Sequence, residues 1–324
     1  MSVSSGAALQ NPDIGGQRRK RPFFKVLLRD VRRSPSLYVI LAPVIAYYLL
    51  FAYKPMSGAL IAFMDYIPGF PLWESEWVGF SNFVDFFRDP NAFSVIRNTF
   101  VISVSSIVWG FPVPIVFALL LNELRNRRFM RVVQTVSYLP HFISLVVICG
   151  LLRTFVTTDG AITGVLYRLG LVPNESLLNS PANFVPLYVV SGIWQEFGYG
   201  AIVYIAALLS INTELYEAAR IDGCGRAKQV WHISLPGIAP TIIAMLLLRL
   251  GQVMNVGFEK VMLLYSPLIY ETADVLSTFV YRKGLQEMNF SFSTAVGLFN
   301  STCNFLILMI ANTVSKRTSG NSLW

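Results

Sequence analysis

Long apolar stretches, broken by short polar segments, dominate the chain. Six of them qualify as membrane spans, at roughly 37–53, 98–121, 135–156, 185–211, 238–257 and 291–314. Crossing about 30 Å of hydrocarbon takes about 20 predominantly apolar residues in a helix. The pattern therefore predicts an all-α membrane protein with six transmembrane helices. The first stretch is the shortest, but Tyr38, Tyr47, Tyr48 and Tyr53 supply interfacial anchors. A basic tail precedes it and no small-residue cleavage site follows, so a span is expected there rather than a cleaved signal peptide. Prolines 43, 112, 114, 140 and 240 fall in or beside the spans and are read as kinks and helix starts.

Ahead of the first span, Phe23, Phe24, Leu27, Leu28 and Val31 recur at helical spacing among Lys25, Arg29, Arg32 and Arg33. Such a segment reads as an amphipathic helix, lying on a membrane surface or packed on the protein's own spans. The expected division is a basic tail with this helix at 1–36, a six-helix domain at 37–314 and a short tail at 315–324.

Composition agrees with membrane residence. Of 324 residues 54% are hydrophobic and 14% charged, and mean hydropathy is +0.54. Soluble domains usually carry about 25% charged residues. The net charge of +8 would suit a nucleic-acid partner if it lay on one face of a soluble domain. It lies elsewhere. Arg18, Arg19, Lys20, Arg21, Lys25, Arg29, Arg32 and Arg33 precede the first span, Arg125, Arg127, Arg128 and Arg131 follow the second, Arg220, Arg226 and Lys228 follow the fourth, and Lys316 and Arg317 follow the sixth. Seventeen basic residues thus share one face, against seven on the other. An excess of Lys and Arg marks the cytoplasmic side, so both termini are expected there, with outer loops at 54–97, 157–184 and 258–290.

Chemistry-bearing patterns are scarce. Cys149, Cys224 and Cys303 lie outside the expected outer loops, which gives no disulfide framework, and the two histidines form no metal-ligand spacing with them. Phosphate-loop, HExxH and GxSxG motifs are absent from the sequence. The expectation is a chain with no catalytic or ATP-binding motif, whose energy comes from elsewhere.

One loop carries specific information. Between the fourth and fifth spans, at 212–237, stand Glu217-Ala218-Ala219, then Gly223 after three residues, then Ile233-Ser234-Leu235-Pro236 after nine more. Physically this predicts two short helices, the first capped by Thr213 and ended by Gly223, the second running from about Arg226 to Ile233 and stopped by Pro236. Pro240 would then start the next span. A knob of this kind suits a groove on a soluble partner, or serves as a plain elbow. The pattern EAA-x3-G-x9-I-x-L-P resembles the signature of the membrane subunits of binding-protein-dependent ABC importers. Further stretches, Asn122–Asn126, Ser137–Ser144, Gly257–Val261 and Ser322–Trp324, resemble the oligosaccharide and polysaccharide branch of carbohydrate importers.

That resemblance implies a type I ABC importer permease fold with an oligosaccharide or polysaccharide cargo, alginate or a related uronate sugar, moved by alternating access. It implies that Glu217, Ala218, Ala219, Gly223, Ile233, Leu235 and Pro236 form a coupling loop docking on a cytoplasmic ATPase. It also implies a second homologous membrane subunit, two ATPase subunits holding ATP and Mg, and a periplasmic solute-binding protein. No cofactor is implied in this chain. The competing reading is a secondary transporter or channel, which leaves the signature loop without a purpose.

Polar residues at membrane depth are the candidates for a translocation path, because a charge inside a span is costly unless paired or facing water. Gln195, Glu196 and Tyr199 lie midway along the fourth span and Arg249 within the fifth. Glu196 and Arg249 are expected to face the bundle interior, pairing with each other or lining the path. Asn300 and Asn304 share one face of the sixth span and suit either a hydroxylated ligand or a neighbouring helix. Trp109 and Trp194 could stack on sugar rings or face lipid, and Arg153, Arg249 or Lys260 could meet a sugar carboxylate.

Overall fold

The computed structural model describes residues 33–320. The amphipathic segment, nearly all of the basic tail and Ser322-Leu323-Trp324 lie outside them. The chain divides into two compact units at Gly58.

The helices are α1 (Pro35–Phe63), α2 (Ser81–Arg88), α3 (Ala92–Asn122), α4 (Arg127–Phe142), α5 (Leu145–Phe155), α6 (Ala161–Arg168), α7 (Pro181–Leu209) and α8 (Thr213–Ile221). There follow α9 (Arg226–Leu250), α10 (Phe258–Leu264), α11 (Tyr270–Ala273), α12 (Leu276–Tyr281) and α13 (Phe290–Ser319). A two-residue antiparallel ladder, β1 (Met64–Asp65) on β2 (Glu76–Trp77), is the sheet of the described residues.

Five helices, α1, α3, α7, α9 and α13, are each long and apolar enough to cross a membrane. The third expected span is not one helix. α4 and α5 meet at 95°, so 135–156 forms a broken span or a re-entrant loop. The break follows from local chemistry. Pro140 lacks an N–H and starts a tight 3-10 turn at Leu139–Phe142, while the Ser144 hydroxyl opens α5 by accepting from the Val147 N–H.

Two prolines expected to kink, start or stop helices, Pro112 and Pro236, are absorbed differently, and so is Pro55. Pro55, Pro112 and Pro236 each follow a π turn by one residue, at Leu49–Tyr53, Ser106–Gly110 and Val230–Ser234. In the first and third the residue before the proline bonds five residues back, Lys54 to Leu49 and Leu235 to Val230. The wider turn relieves the clash between the proline ring and the carbonyl behind it. Pro236 therefore does not stop the second loop helix. α9 runs unbroken from Arg226 into the fifth span, with Pro240 inside it, and ends at Leu250 instead of reaching residue 257.

Packing within the second unit relies on close helix approach, since lipid offers no hydrophobic gain for burying one apolar face on another. α3 meets α7 through Ala118 and Ala201, both fully buried. A methyl on Gly200 would touch Pro114 at 3.4 Å. A phenylalanine cluster, Phe86 with Phe279, Phe292 and Phe299 at ring separations of 6.1, 6.2 and 5.6 Å, ties α2 to α12 and α13. Asn98 and Thr99 of α3 hold the segment before α12, with the Asn98 amide donating to the Glu271 and Asp274 carbonyls and the Thr99 hydroxyl accepting the Leu276 N–H.

Candidate functional site

Two places gather the residues that the sequence singled out. The first is the loop 212–237. Asn212, rather than Thr213, caps α8, because its side-chain oxygen accepts the Glu214 N–H at 3.0 Å. Gly223 has φ +73°, a left-handed conformation that costs glycine little. It lets the N–H groups of Gly223 and Cys224 reach the carbonyls of Arg220 and Ala219 at 3.1 and 2.8 Å, closing the helix end. The loop is stapled to α9 by Tyr216, whose hydroxyl lies 2.9 Å from that of Ser234, and by Gln229, which donates to the Cys224 carbonyl at 2.7 Å.

The signature residues divide by exposure. Glu217, Ala218, Gly223 and Pro236 stand on the surface, whereas Ala219, Ile233 and Leu235 are half-buried and hold the shape. The sequence reading missed the apolar side chains that crown this knob. Ile221 is 86% exposed, Trp231 66% and Leu215 53%. Their signal was a set of large apolar residues inside a polar loop. The Arg226 guanidinium donates to the Glu123 carbonyl at 3.3 Å, tying the knob to the loop after α3. A cleft of about 760 Å³ opens between them, lined by Arg125, Glu217, Arg220 and Cys224 among others.

The second place is the middle of α7. Glu196 is the sixteenth of that helix's 29 residues, so it sits about 22 Å along the axis, at the centre of the span. It does not pair with Arg249. Its carboxylate takes the Nδ1 of His141 at 3.0 Å, and the imidazole stacks on Tyr199 with centroids 3.8 Å apart and planes 3° from parallel. His141 was not among the sequence candidates. The bend after α4 and a close crossing at Gly198 bring it there, since a methyl on Gly198 would fall 2.1 Å from the Ser137 carbonyl oxygen. Gln195, by contrast, is buried on the other face of α7.

Arg249 stands exposed in the last turn of α9, with no carboxylate within ion-pair distance among the described residues. Lys260 is not an interfacial cation open to a ligand. It is 6% exposed, donates to the Tyr188 carbonyl at 2.9 Å and lies 4.6 Å from the Tyr188 ring centroid. Burial pushes its ammonium down to about 8. Asn300 and Asn304 serve a helix contact. Both amides donate to the Asn255 side chain, at 2.9 and 3.2 Å, and Asn304 accepts the Met254 N–H at 2.8 Å. They pin the irregular stretch after α9 in place. Trp109, Trp194 and Arg153 are exposed without a contact that draws them to a common site. No cluster of His, Cys, Asp or Glu able to hold a metal occurs among the described residues.

Comparison with known proteins gives the same picture along nearly the whole chain. A crystal structure of a bacterial ABC transporter involved in the import of the acidic polysaccharide alginate superposes with a TM-score of 0.83 at 42% identity, covering 91% of this chain and 99% of that one. A second structure, of a bacterial alginate ABC transporter in complex with alginate pentasaccharide-bound periplasmic protein, gives 0.84 at 42% identity, covering 92% and 99%. The polygalacturonan/rhamnogalacturonan transport system permease protein YteP of Bacillus subtilis is 39% identical over 96% of this chain and 97% of its own length. The protein LplB of the same organism is 41% identical over 91% and 92%. Residues 110–320 match the model of the binding-protein-dependent transport system inner membrane component. With a capped knob between two apolar helices and relatives of matching length, the chain belongs to the family of inner membrane components of binding-protein-dependent transport systems.

Proposed function

We propose that this chain is the translocating subunit of an ATP-driven importer for acidic oligosaccharides or polysaccharides, alginate or a related uronate polymer. The near-full-length likeness to the alginate transporter, at 42% identity, carries the reading. The permease of polygalacturonan and rhamnogalacturonan uptake, a relative of similar identity, supports the same cargo chemistry. In this reading both termini and the knob at 212–237 face the cytoplasm. Leu215, Ile221 and Trp231, with Glu217 and Ala218, seat in a groove of an ATPase subunit. Two such ATPases bind ATP and Mg, a second homologous membrane subunit completes the path, and a periplasmic binding protein hands over the sugar. ATP-driven closure would move the knob and, through the unbroken α9, swing the fifth span between inward- and outward-facing states.

Arg249 fits an anionic cargo, because a guanidinium in an apolar helix, with no carboxylate at ion-pair distance among the described residues, is costly unless water or an anion reaches it. Reconstitution tests the proposal. The complex, assembled with its ATPase and binding protein in vesicles, should hydrolyse ATP faster and accumulate sugar when given a galacturonate or mannuronate oligomer. Neutral glucose oligomers should give little of either. A tagged chain that retains no ATPase subunit, under conditions where a known importer does, would overturn the reading.

A further inference from the structure

We infer that His141 is a sugar-recognition residue of the translocation path, clamped by Glu196 and Tyr199 so that its Nε2 meets a ring hydroxyl of the passing sugar. The inference rests on the importer reading above and assigns a contact within it.

A carboxylate at the centre of a 29-residue apolar helix cannot face hydrocarbon without a large cost, so the surface bearing Glu196 faces water, cargo or a neighbouring subunit. Glu196 and His141 keep 50% and 29% of their side-chain surface open, so the pair remains accessible after engaging each other. The geometry then fixes the imidazole twice over. The Glu196 carboxylate is acceptor-only, so the ring proton it takes is on Nδ1, and in the neutral ring Nε2 carries the lone pair. Stacking on Tyr199 at 3° sets the ring plane. Gly198 sets the approach of the two helices, since no side chain fits between it and Ser137.

Nε2 has no hydrogen-bond partner among the described residues, and neither has the second Glu196 oxygen. In the neutral ring the free Nε2 lone pair suits a hydroxyl donor of a pyranose ring. The Glu196 carboxylate behind the ring repels a second carboxylate, so a uronate would pass with its hydroxyl edge on the imidazole and its acid group turned away. A rigid stacked ring loses little freedom when it binds, which makes it a better recognition group than a flexible side chain.

The competing role is purely structural, with His141 serving to satisfy Glu196 at the bend. Uptake of a galacturonate trisaccharide per ATP hydrolysed, in the reconstituted complex, separates the two. Absence of uptake by the wild-type complex would count against the importer reading itself. Given wild-type uptake, Glu196→Gln should stay within about twofold, because its amide oxygen still accepts the Nδ1–H. The double variant His141→Phe with Glu196→Gln keeps a ring on Tyr199 and leaves no unpaired carboxylate, but it has no Nε2. Its uptake per ATP should fall about two- to tenfold, as expected for one lost hydrogen bond, with complex yield and stimulated ATPase unchanged. His141→Gln with Glu196→Gln should recover part of the loss. Wild-type uptake per ATP in the Phe double variant would overturn the inference, and so would a parallel loss of assembly and ATPase.

Discussion

Lys260 shows how a single buried charge makes stability depend on pH. Its ammonium titrates at about 8 in the folded protein because burial disfavours the charged form, against an ordinary 10.5. Between those values the unfolded chain holds a proton that the folded chain has released, so stability rises with pH across that window. Below about 8 the full penalty of keeping the buried charge is present. Thermal unfolding in detergent should therefore show a midpoint that climbs from pH 7.5 to pH 9.5. Lys260→Met should flatten that climb, although it also removes the hydrogen bond to the Tyr188 carbonyl.

Single residues were also where the sequence misled most. Lys260 and Arg249 were both candidates to meet a sugar carboxylate, yet one is enclosed and the other open. Glu196 was legible as a functional candidate from its position alone. Its partner was not, because His141 belongs to a segment that looks like an uninterrupted span until Pro140 and Ser144 turn it through 95°. Pairing across 55 positions depends on that turn and on the absence of a side chain at Gly198. Neither is a periodicity, so hydropathy could not report them.

Among the elements, apolar length identified five of the expected spans, while the third stretch is broken into α4 and α5 at 95°. The loop signature was legible down to its left-handed glycine, because cap and turn chemistry are local. Proline was the less reliable guide. Read as punctuation, Pro236 ended a helix that in fact continues, since the π turn at Val230–Ser234 accommodates the proline ring. Two predictions belong here. Gly223→Ala meets no atom within 4 Å, so its cost is the left-handed backbone alone, about 1 kcal/mol. The spans should fold normally, while ATP hydrolysis and uptake become uncoupled in vesicles. Gly198→Ala should do the reverse. Its methyl would fall on the Ser137 backbone, forcing α4 from α7 at a cost of about 1–3 kcal/mol, seen as a lowered unfolding temperature and a smaller yield of assembled complex.

At the scale of the molecule, the proposed orientation with both termini cytoplasmic accounts for the net charge of +8 without a binding surface for polyanions. The assembly prediction follows from the knob. Ile221→Asp and Trp231→Asp together should leave expression in the membrane unchanged and abolish co-purification of the ATPase, because each puts a charge on an exposed apolar side chain without touching the packed face.

The lengths of the helices have a further bearing on where the protein can work. α3, α7 and α13 run 31, 29 and about 30 residues, or roughly 45 Å each, half as long again as the hydrocarbon they would cross. Such rods either tilt or carry their last turns into the headgroup region, and tilt changes with the thickness of the surrounding lipid. The angle between spans, and with it the width of any passage among them, is then set partly by acyl-chain length. The same complex in thin and in thick bilayers should differ in turnover with no residue altered, making the host membrane a silent component of the transporter.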